Sequence, residues 1–308
     1  MRTRPAGRAE DRPRVRIESW GVLPLAQRFQ RDTLGQLRQA AEACFAGSFY
    51  AADDIDLLIN AGVYRNEFLS EPALAAVLAG QLHMNDASES PDDRKTLAFD
   101  VASGATGFLQ ACFLASQMID SGGYQTAMVV ASEIDYNADA WPTNLLGLEE
   151  TASAVILDGR GGGETGFGKF LFYTEGDHLH RFESHSVQRQ ERSALWFARD
   201  RDLEQYYLQS IQWAVDKLLD ETGYRLNDFD VVLPPQISPS FTQNLAGRLN
   251  LSPGCLVHLP RPHQDLYTSS LAHSLEALHH SRRVPPGGRG LILEVGAGIQ
   301  VACGIYYW

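Results

Sequence analysis

Apolar positions along the chain fall into two alternating kinds of run. Short stretches rich in β-branched and other apolar residues predict buried strands at Arg14–Ser19, Asp56–Ala61, Thr96–Val101, Thr126–Ser132 and Ala154–Leu157. Between them lie patterns with helical spacing. Asp32–Phe45 places Leu34, Leu37, Ala41 and Cys44 on one face, Glu71–Leu82 carries Pro72 in a tolerated first-turn position, and Thr106–Ser121 is strongly apolar and stops at Gly122-Gly123. The theme then recurs. Strands are expected at Phe167–Tyr173, Asp230–Leu233 and Cys255–Leu259, with helices over Arg201–Glu221, Ser240–Leu249 and Thr268–His280. A closing pair, Gly290–Glu294 and Gln300–Tyr306, ends the chain. The stretch from His178 to Arg192 is polar and reads as irregular. Strands alternating with helices imply an α/β fold with mostly parallel central strands, and two such series imply a duplicated architecture.

The glycine-rich run Gly159–Gly163 lies between the two series. It lacks the GxxxxGK[ST] spacing that cradles phosphate and opens no helix, so it reads as a linker. The organisation expected is a basic leader at 1–14, an N-terminal half at 15–160 and a C-terminal half at 161–308. The arginines at 2, 4, 8, 12, 14 and 16 make that leader basic, and a solvated tail explains them better than a targeting signal.

With 308 residues, 44% of them hydrophobic, the chain can bury a large core. Its net charge of -12 favours solubility and gives no footing for nucleic acid. No uninterrupted apolar run is long enough to span a bilayer, so no membrane partner is expected. Cys44, Cys112, Cys255 and Cys303 are scattered without CxxC spacing. They read as core thiols rather than as metal ligands or a disulfide framework, and a cytoplasmic location follows. His178, His180 and His185 could be taken for metal ligands, but no acid or thiol completes a convincing set, and an exposed polar loop explains them better. No metal and no cofactor are expected.

Several segments, read in order, resemble ketoacyl-ACP synthase III, a family of the thiolase superfamily. They are Ile55–Ala61, Phe99–Phe108 (FDVASGATGF), Ser121–Tyr124, Val129–Glu133, Leu233–Gln236 (LPPQ), Pro262–Ser270 and Leu293–Gly298 (LEVGAG). The resemblance implies a five-layered αβαβα thiolase fold with two duplicated halves, dimerisation through a central strand, and acyl-thioester substrates carried on coenzyme A or acyl carrier protein. It also implies a catalytic cysteine, histidine and asparagine, and here the sequence departs. Claisen condensation on this fold uses a thiolate at a helix N-terminus, where the dipole lowers the thiol pKa and backbone N–H groups form an oxyanion hole. Ala105 occupies the cysteine position and Pro235 the histidine position, which leaves neither nucleophile nor imidazole. An ungapped count puts Asp265 at the asparagine position, and a shift of one or two residues would put Leu266 or Tyr267 there. The family's Gly-Asp-Gly-Ala-Gly loop reads Glu149–Ser153, and Pro24 leads almost directly to the first helix where the family carries several dozen residues, part of them clamping the nucleotide.

Substitute chemistry is the alternative. Ser103 and Thr106 flank the vacant position and are candidate nucleophiles, although small hydroxyls also suit a tight turn and a helix cap. His263 with Asp265 would form a dyad to activate Ser103, but residues two apart seldom align in such a relay. Cys112, two turns further along the helix, is too deep to use its dipole. Three functions are therefore expected, in this order. The first is a non-catalytic subunit, inactive alone, that pairs in a heterodimer or heterotetramer with a catalytically competent ketosynthase-III-like subunit, as in the alkylquinolone-forming type, in fatty-acyl, polyketide or quinolone-type secondary metabolism. The second is an acyltransferase or unusual condensing enzyme using Ser103. The third is a stand-alone module binding acyl thioesters or acyl carrier protein.

Overall fold

The structure, a computed structural model, describes residues 15–25, 32–65, 68–86, 95–189, 191–259, 264–281 and 284–308. The expected leader at 1–14 and His263 lie outside the described residues.

The first half supplies β1 (Arg16–Val22), α1 (Thr33–Ala46), β2 (Leu57–Asn60), α2 (Leu74–Gln81), β3 (Leu97–Asp100), α3 (Gly107–Asp120), β4 (Thr126–Glu133), the short α4 (Asn137–Ala140) and β5 (Thr151–Asp158). The second half supplies β6 (Gly166–Thr174), β7 (Phe182–Arg189), β8 (Arg192–Arg199), α5 (Leu203–Thr222), β9 (Val231–Leu233), α6 (Pro239–Arg248), α7 (Ser270–Ser281), β10 (Arg289–Gly296) and β11 (Gln300–Tyr307). The glycine-rich stretch Gly159–Gly163 lies between β5 and β6.

The first sheet has the order β1-β5-β4-β2-β3 and the second β6-β11-β10-β9. Leaving the β7–β8 hairpin aside, both sheets place the first strand beside the last, then the penultimate, then the second. The duplication inferred from the alternating series is thus visible in the strand order. The expectation of mostly parallel strands needs correction. β2 runs parallel to β3 and β4, and β9 to β10, but β5 is antiparallel to both β1 and β4, and β11 to both β6 and β10. Each half ends in an antiparallel strand: β11 follows β10 by a tight turn, and β5 follows β4 after the longer 134–150 segment that carries α4.

Side-chain alternation along the strands builds the layers. In β2, Leu57 and Ile59 face one way, with Phe108, Leu109 and Cys112 of α3 and Leu271 and Leu275 of α7, and the same cluster takes Val231, Ile292 and Ala302 from the second sheet. Leu58 points the opposite way, to Leu37 of α1 and Leu74 and Leu78 of α2. On the far side of the second sheet, Ile211 and Val215 of α5 and Phe241 and Leu245 of α6 cover Leu291, Leu293 and Val301. Five layers result: helices, sheet, the α3 and α7 pair, sheet, helices.

Two local expectations fail. The stretch His178–Arg192 is not irregular. A 3-10 turn at Gly176–Arg181 leads into β7, which pairs with β8 in register from Phe182↔Arg199 to Arg189↔Arg192. The hairpin is wet on much of both faces, so no apolar alternation marks it, and cross-strand contacts such as His185 on Trp196 hold it instead. Cys255–Leu259 is not a strand. Only Leu256 bridges to Val232, at the position where the first sheet has β3. The Pro253-Gly254 turn at its start and the short β9 beside it leave room for a single bridge.

Candidate active site at the start of α3

β3 delivers the chain to a turn of small residues. Gly104–Thr106 form one 3-10 turn, and α3 starts at Gly107. Gly104 has φ +55, a conformation glycine adopts without a Cβ penalty. Ala105 follows at the mouth of a 14-residue helix, 5% exposed, with its methyl where a nucleophile would profit from the helix dipole. The last turn of the chain closes over it. A Cβ on Gly296 would meet the Ala105 nitrogen at 3.1 Å, so any side chain there would press on the turn.

The flanking hydroxyls are both engaged. Ser103 Oγ donates to Gln300 Oε1 at 2.9 Å. Thr106 Oγ1 donates to the Ser103 carbonyl at 2.8 Å, lies 3.3 Å from the same Gln300 oxygen, and accepts from Gln110 Nε2 at 3.0 Å. An amide oxygen accepts a proton's hydrogen bond without removing the proton, so neither hydroxyl is activated as a nucleophile. Thr106 does not cap α3 through its side chain either. Cys112 is fully buried against the core, and desolvation pushes its thiol far above the ordinary range.

Pro235 is buried just after β9, and its neighbour Gln236 ties the surrounding loops together. Gln236 donates its backbone N–H to Ser270 Oγ at 3.1 Å and its side-chain amide to the Val257 carbonyl at 3.1 Å, and its own carbonyl accepts from Leu266 N at 3.0 Å. Asp265 is bound on both sides. Its backbone exchanges hydrogen bonds with Gly147 and Glu149, and its carboxylate accepts from Tyr267 N at 2.8 Å. Burial pushes the Asp265 carboxyl up to about 6, against the pull of that N–H and of Arg199. Of the three residues that the register allowed, the one whose side chain reaches the α3 turn is Tyr267. Its phenolic oxygen lies 3.4 Å from the point that a Cβ on Gly104 would occupy.

Beside this centre lies a cavity of about 490 Å³. Ile237, Asp265, Tyr267 and Ala297, one or more from each of the three converging segments, form its inner wall, with Tyr64, Tyr207, Leu146 and Leu148 around them and Arg199 and Arg201 at the mouth. Burial raises the phenols of Tyr64, Tyr207 and Tyr267 above their ordinary range, so all three keep their protons and can donate. Two buried acids complete the surroundings. Glu133 accepts from Val63 N, Tyr64 N and Thr268 Oγ1 at 3.0, 2.7 and 2.8 Å, and burial lifts it to about 7. Glu294, on the same face of β10 as Gly296, is 1% exposed with one oxygen unpartnered, and burial raises it well above the carboxylate range. Tyr64, Tyr207, Arg199, Gln300 and Glu294 were not marked by the sequence reading. A single buried acid two residues before the LEVGAG glycine was the one available signal.

The histidines do not converge here. His178 packs at a tilt on Tyr206, and His185 stacks on Trp196. Buried His273 shares a hydrogen bond with Thr151 Oγ1 at 3.1 Å, and burial pushes it down to about 4. No group of three potential metal ligands forms among the described residues. No helix among them is long and apolar enough to cross a membrane.

Residues 99–176, the stretch carrying the α3 turn, match the family model of 3-oxoacyl-[acyl-carrier-protein] synthase III. Xanthomonas campestris OleA superposes with a TM-score of 0.81 at 16% identity, covering 99% of this chain and 100% of that one. The 3-oxoacyl-ACP synthase III of Aquifex aeolicus superposes with a TM-score of 0.77 at 18% identity, over 96% and 100%. The chain has the ketoacyl-ACP synthase III fold. Sequence relatives point the same way. The β-ketoacyl-ACP synthase III of Rickettsia akari is 23% identical over 276 residues, covering 88% of this chain and 82% of its own, and that of Rickettsia typhi is 23% identical over 293 residues. Within that fold, the family-model match spans the turn at Gly104–Thr106 and the start of α3, where Ala105 presents a methyl group.

Proposed function

We propose that this chain is a non-catalytic ketosynthase-III-like subunit that binds acyl thioesters and pairs with a catalytically competent subunit of the same fold. One observation carries the reading: Ala105, buried at the N-terminus of α3, supplies no nucleophile, and the neighbouring hydroxyls of Ser103 and Thr106 are held by Gln300 rather than by a base. Pro235 adds no proton donor. Acyl groups on acyl carrier protein or coenzyme A are the ligands suggested by the β-ketoacyl-ACP synthase III relatives, by OleA, which binds lauroyl-CoA, and by the apolar and phenolic lining of the cavity. A heterodimer of the alkylquinolone-forming kind fits the same losses. Its pairing surface is the free edge of the first sheet. Among the described residues β3 bonds only to β2, and its apolar Leu97 is 41% exposed. An unpaired strand edge is a template for pairing with another chain.

The test combines two measurements. The chain incubated alone with malonyl and acyl thioesters should show no adduct by intact-mass spectrometry and no turnover. Co-expressed with an active ketosynthase-III-like subunit encoded beside it, it should appear as a mixed dimer or tetramer in native mass spectrometry. An acyl group mapped to Ser103 or Thr106, or turnover by the chain alone, would instead establish the acyltransferase reading.

A further inference from the structure

The cavity and the vacant nucleophile position are neighbours, yet Ser103, Ala105 and Thr106 do not line the cavity. The wall between them is made of two residues with one side each. Tyr267 faces the cavity and sets its hydroxyl against Gly104. Ala297 faces the cavity while Gly296, its chain neighbour, packs on the Ala105 nitrogen.

Tyr267 is held in this place from several directions. Its φ is +48, a region that a bulky residue occupies only where its surroundings compel it. The Asp265 carboxylate receives its backbone N–H. The 3-10 turn that it opens is pinned by Thr268 Oγ1 donating to Glu133 at 2.8 Å and by Ser269 sharing a hydrogen bond with Ser153 at 3.0 Å. Its ring packs on Tyr64 with centroids 5.4 Å apart.

We propose that Tyr267 is a stopper: it closes the cavity off from the N-terminus of α3, so that an acyl ligand is bound without reaching the position where a nucleophile would attack. This deepens the non-catalytic reading and rests on it for the ligand class. It makes the chain inert for two independent reasons, a missing nucleophile and a closed passage.

Restoring only one of the two should therefore fail. Ala105→Cys is compared with Ala105→Cys/Tyr267→Asn and Ala105→Cys/Tyr267→Phe, each checked for an unchanged melting transition. The introduced thiol is probed with iodoacetamide, which reports reach, and with octanoyl-CoA. In the second reaction the thiolate attacks the thioester carbonyl, the carbon–sulfur bond to coenzyme A breaks, and coenzyme A departs as its thiol. Peptide mass spectrometry separates position 105 from Cys255 and the buried thiols. Tyr267→Asn should speed both reactions at least tenfold, and Tyr267→Phe, which keeps the ring, should leave both slow. If Ala105→Cys alone reacts as fast as the Tyr267→Asn double variant with either reagent, Tyr267 closes nothing and the proposal falls. Faster alkylation without acylation would keep the stopper and defeat the thioester reading. Should Tyr267→Asn not fold, Tyr267→Leu, too short to reach Gly104, serves the same comparison.

Discussion

Glu294 shows how far a single side chain can depart from its surroundings. It is buried in the central layer with one oxygen unsatisfied, and it carries its proton where a solvated glutamate would not. An unsatisfied buried polar group costs about 1–3 kcal/mol. Glu294→Met, similar in length and apolar, should raise the unfolding free energy measured in urea by an amount in that range, seen as a higher midpoint. The pH dependence has a definite sign. Glu294, Glu133 and Asp265 all hold protons more tightly in the folded chain than in the unfolded one. Their contribution is complete below the unfolded carboxylate range and is lost as pH rises through the folded values. Stability should therefore fall between about pH 4.5 and 7, the window set by Glu133 at about 7, because these three carboxyls outweigh the opposite contribution of His273, whose lowered value acts between about 4 and 6.5. The fall should be shallower in Glu294→Met. A urea midpoint that rises across this window would contradict the assignment.

At the scale of elements, β3 and α2 are coupled by one carboxylate. Asp100, at the end of β3, accepts from Leu74 N and Ala75 N at the start of α2, both at 3.0 Å, and pairs with Arg65 at 2.6 Å. It serves as a cap contributed from outside the helix, because Ala73 at the N-cap has no acceptor side chain. Asp100→Ala removes the cap and leaves a nearly buried guanidinium unpaired, a loss of about 3 kcal/mol. Thermal denaturation should show it, and Asp100→Asn should recover part through the helix N–H groups. Helices and central strands were legible from apolar spacing because burial on one face imposes that spacing. The β7–β8 hairpin was not, since its residues are wetted on both faces. Cys255–Leu259 was misread because its apolar residues serve the helix-covered side of the sheet without a full partner strand.

For the whole molecule, the exposed edge at β3 is the feature with the largest consequence. Leu97→Lys places a charge on that edge, a common device against edge pairing. It should leave the unfolding free energy within about 0.5 kcal/mol of the parent. In sedimentation velocity it should shift the assembly with an active subunit toward free chains. An unchanged assembly would move the pairing surface elsewhere.

That Ala105 and Pro235 carry neither a thiol nor an imidazole was readable directly, because that holds in any conformation. The layered fold was readable too, since repeated apolar periodicity and ordered motifs constrain how elements stack. The asparagine register was not. Counting allowed Asp265, Leu266 or Tyr267, and only the packed loops show that Asp265 turns its carboxylate to a backbone N–H while Tyr267 reaches Gly104. Nor could spacing show that Gln300, nearly two hundred residues away, occupies the hydroxyls of Ser103 and Thr106. Such contacts depend on where two sheets and their loops come to rest, and that is decided by the packing of the whole core rather than by any local run of residues.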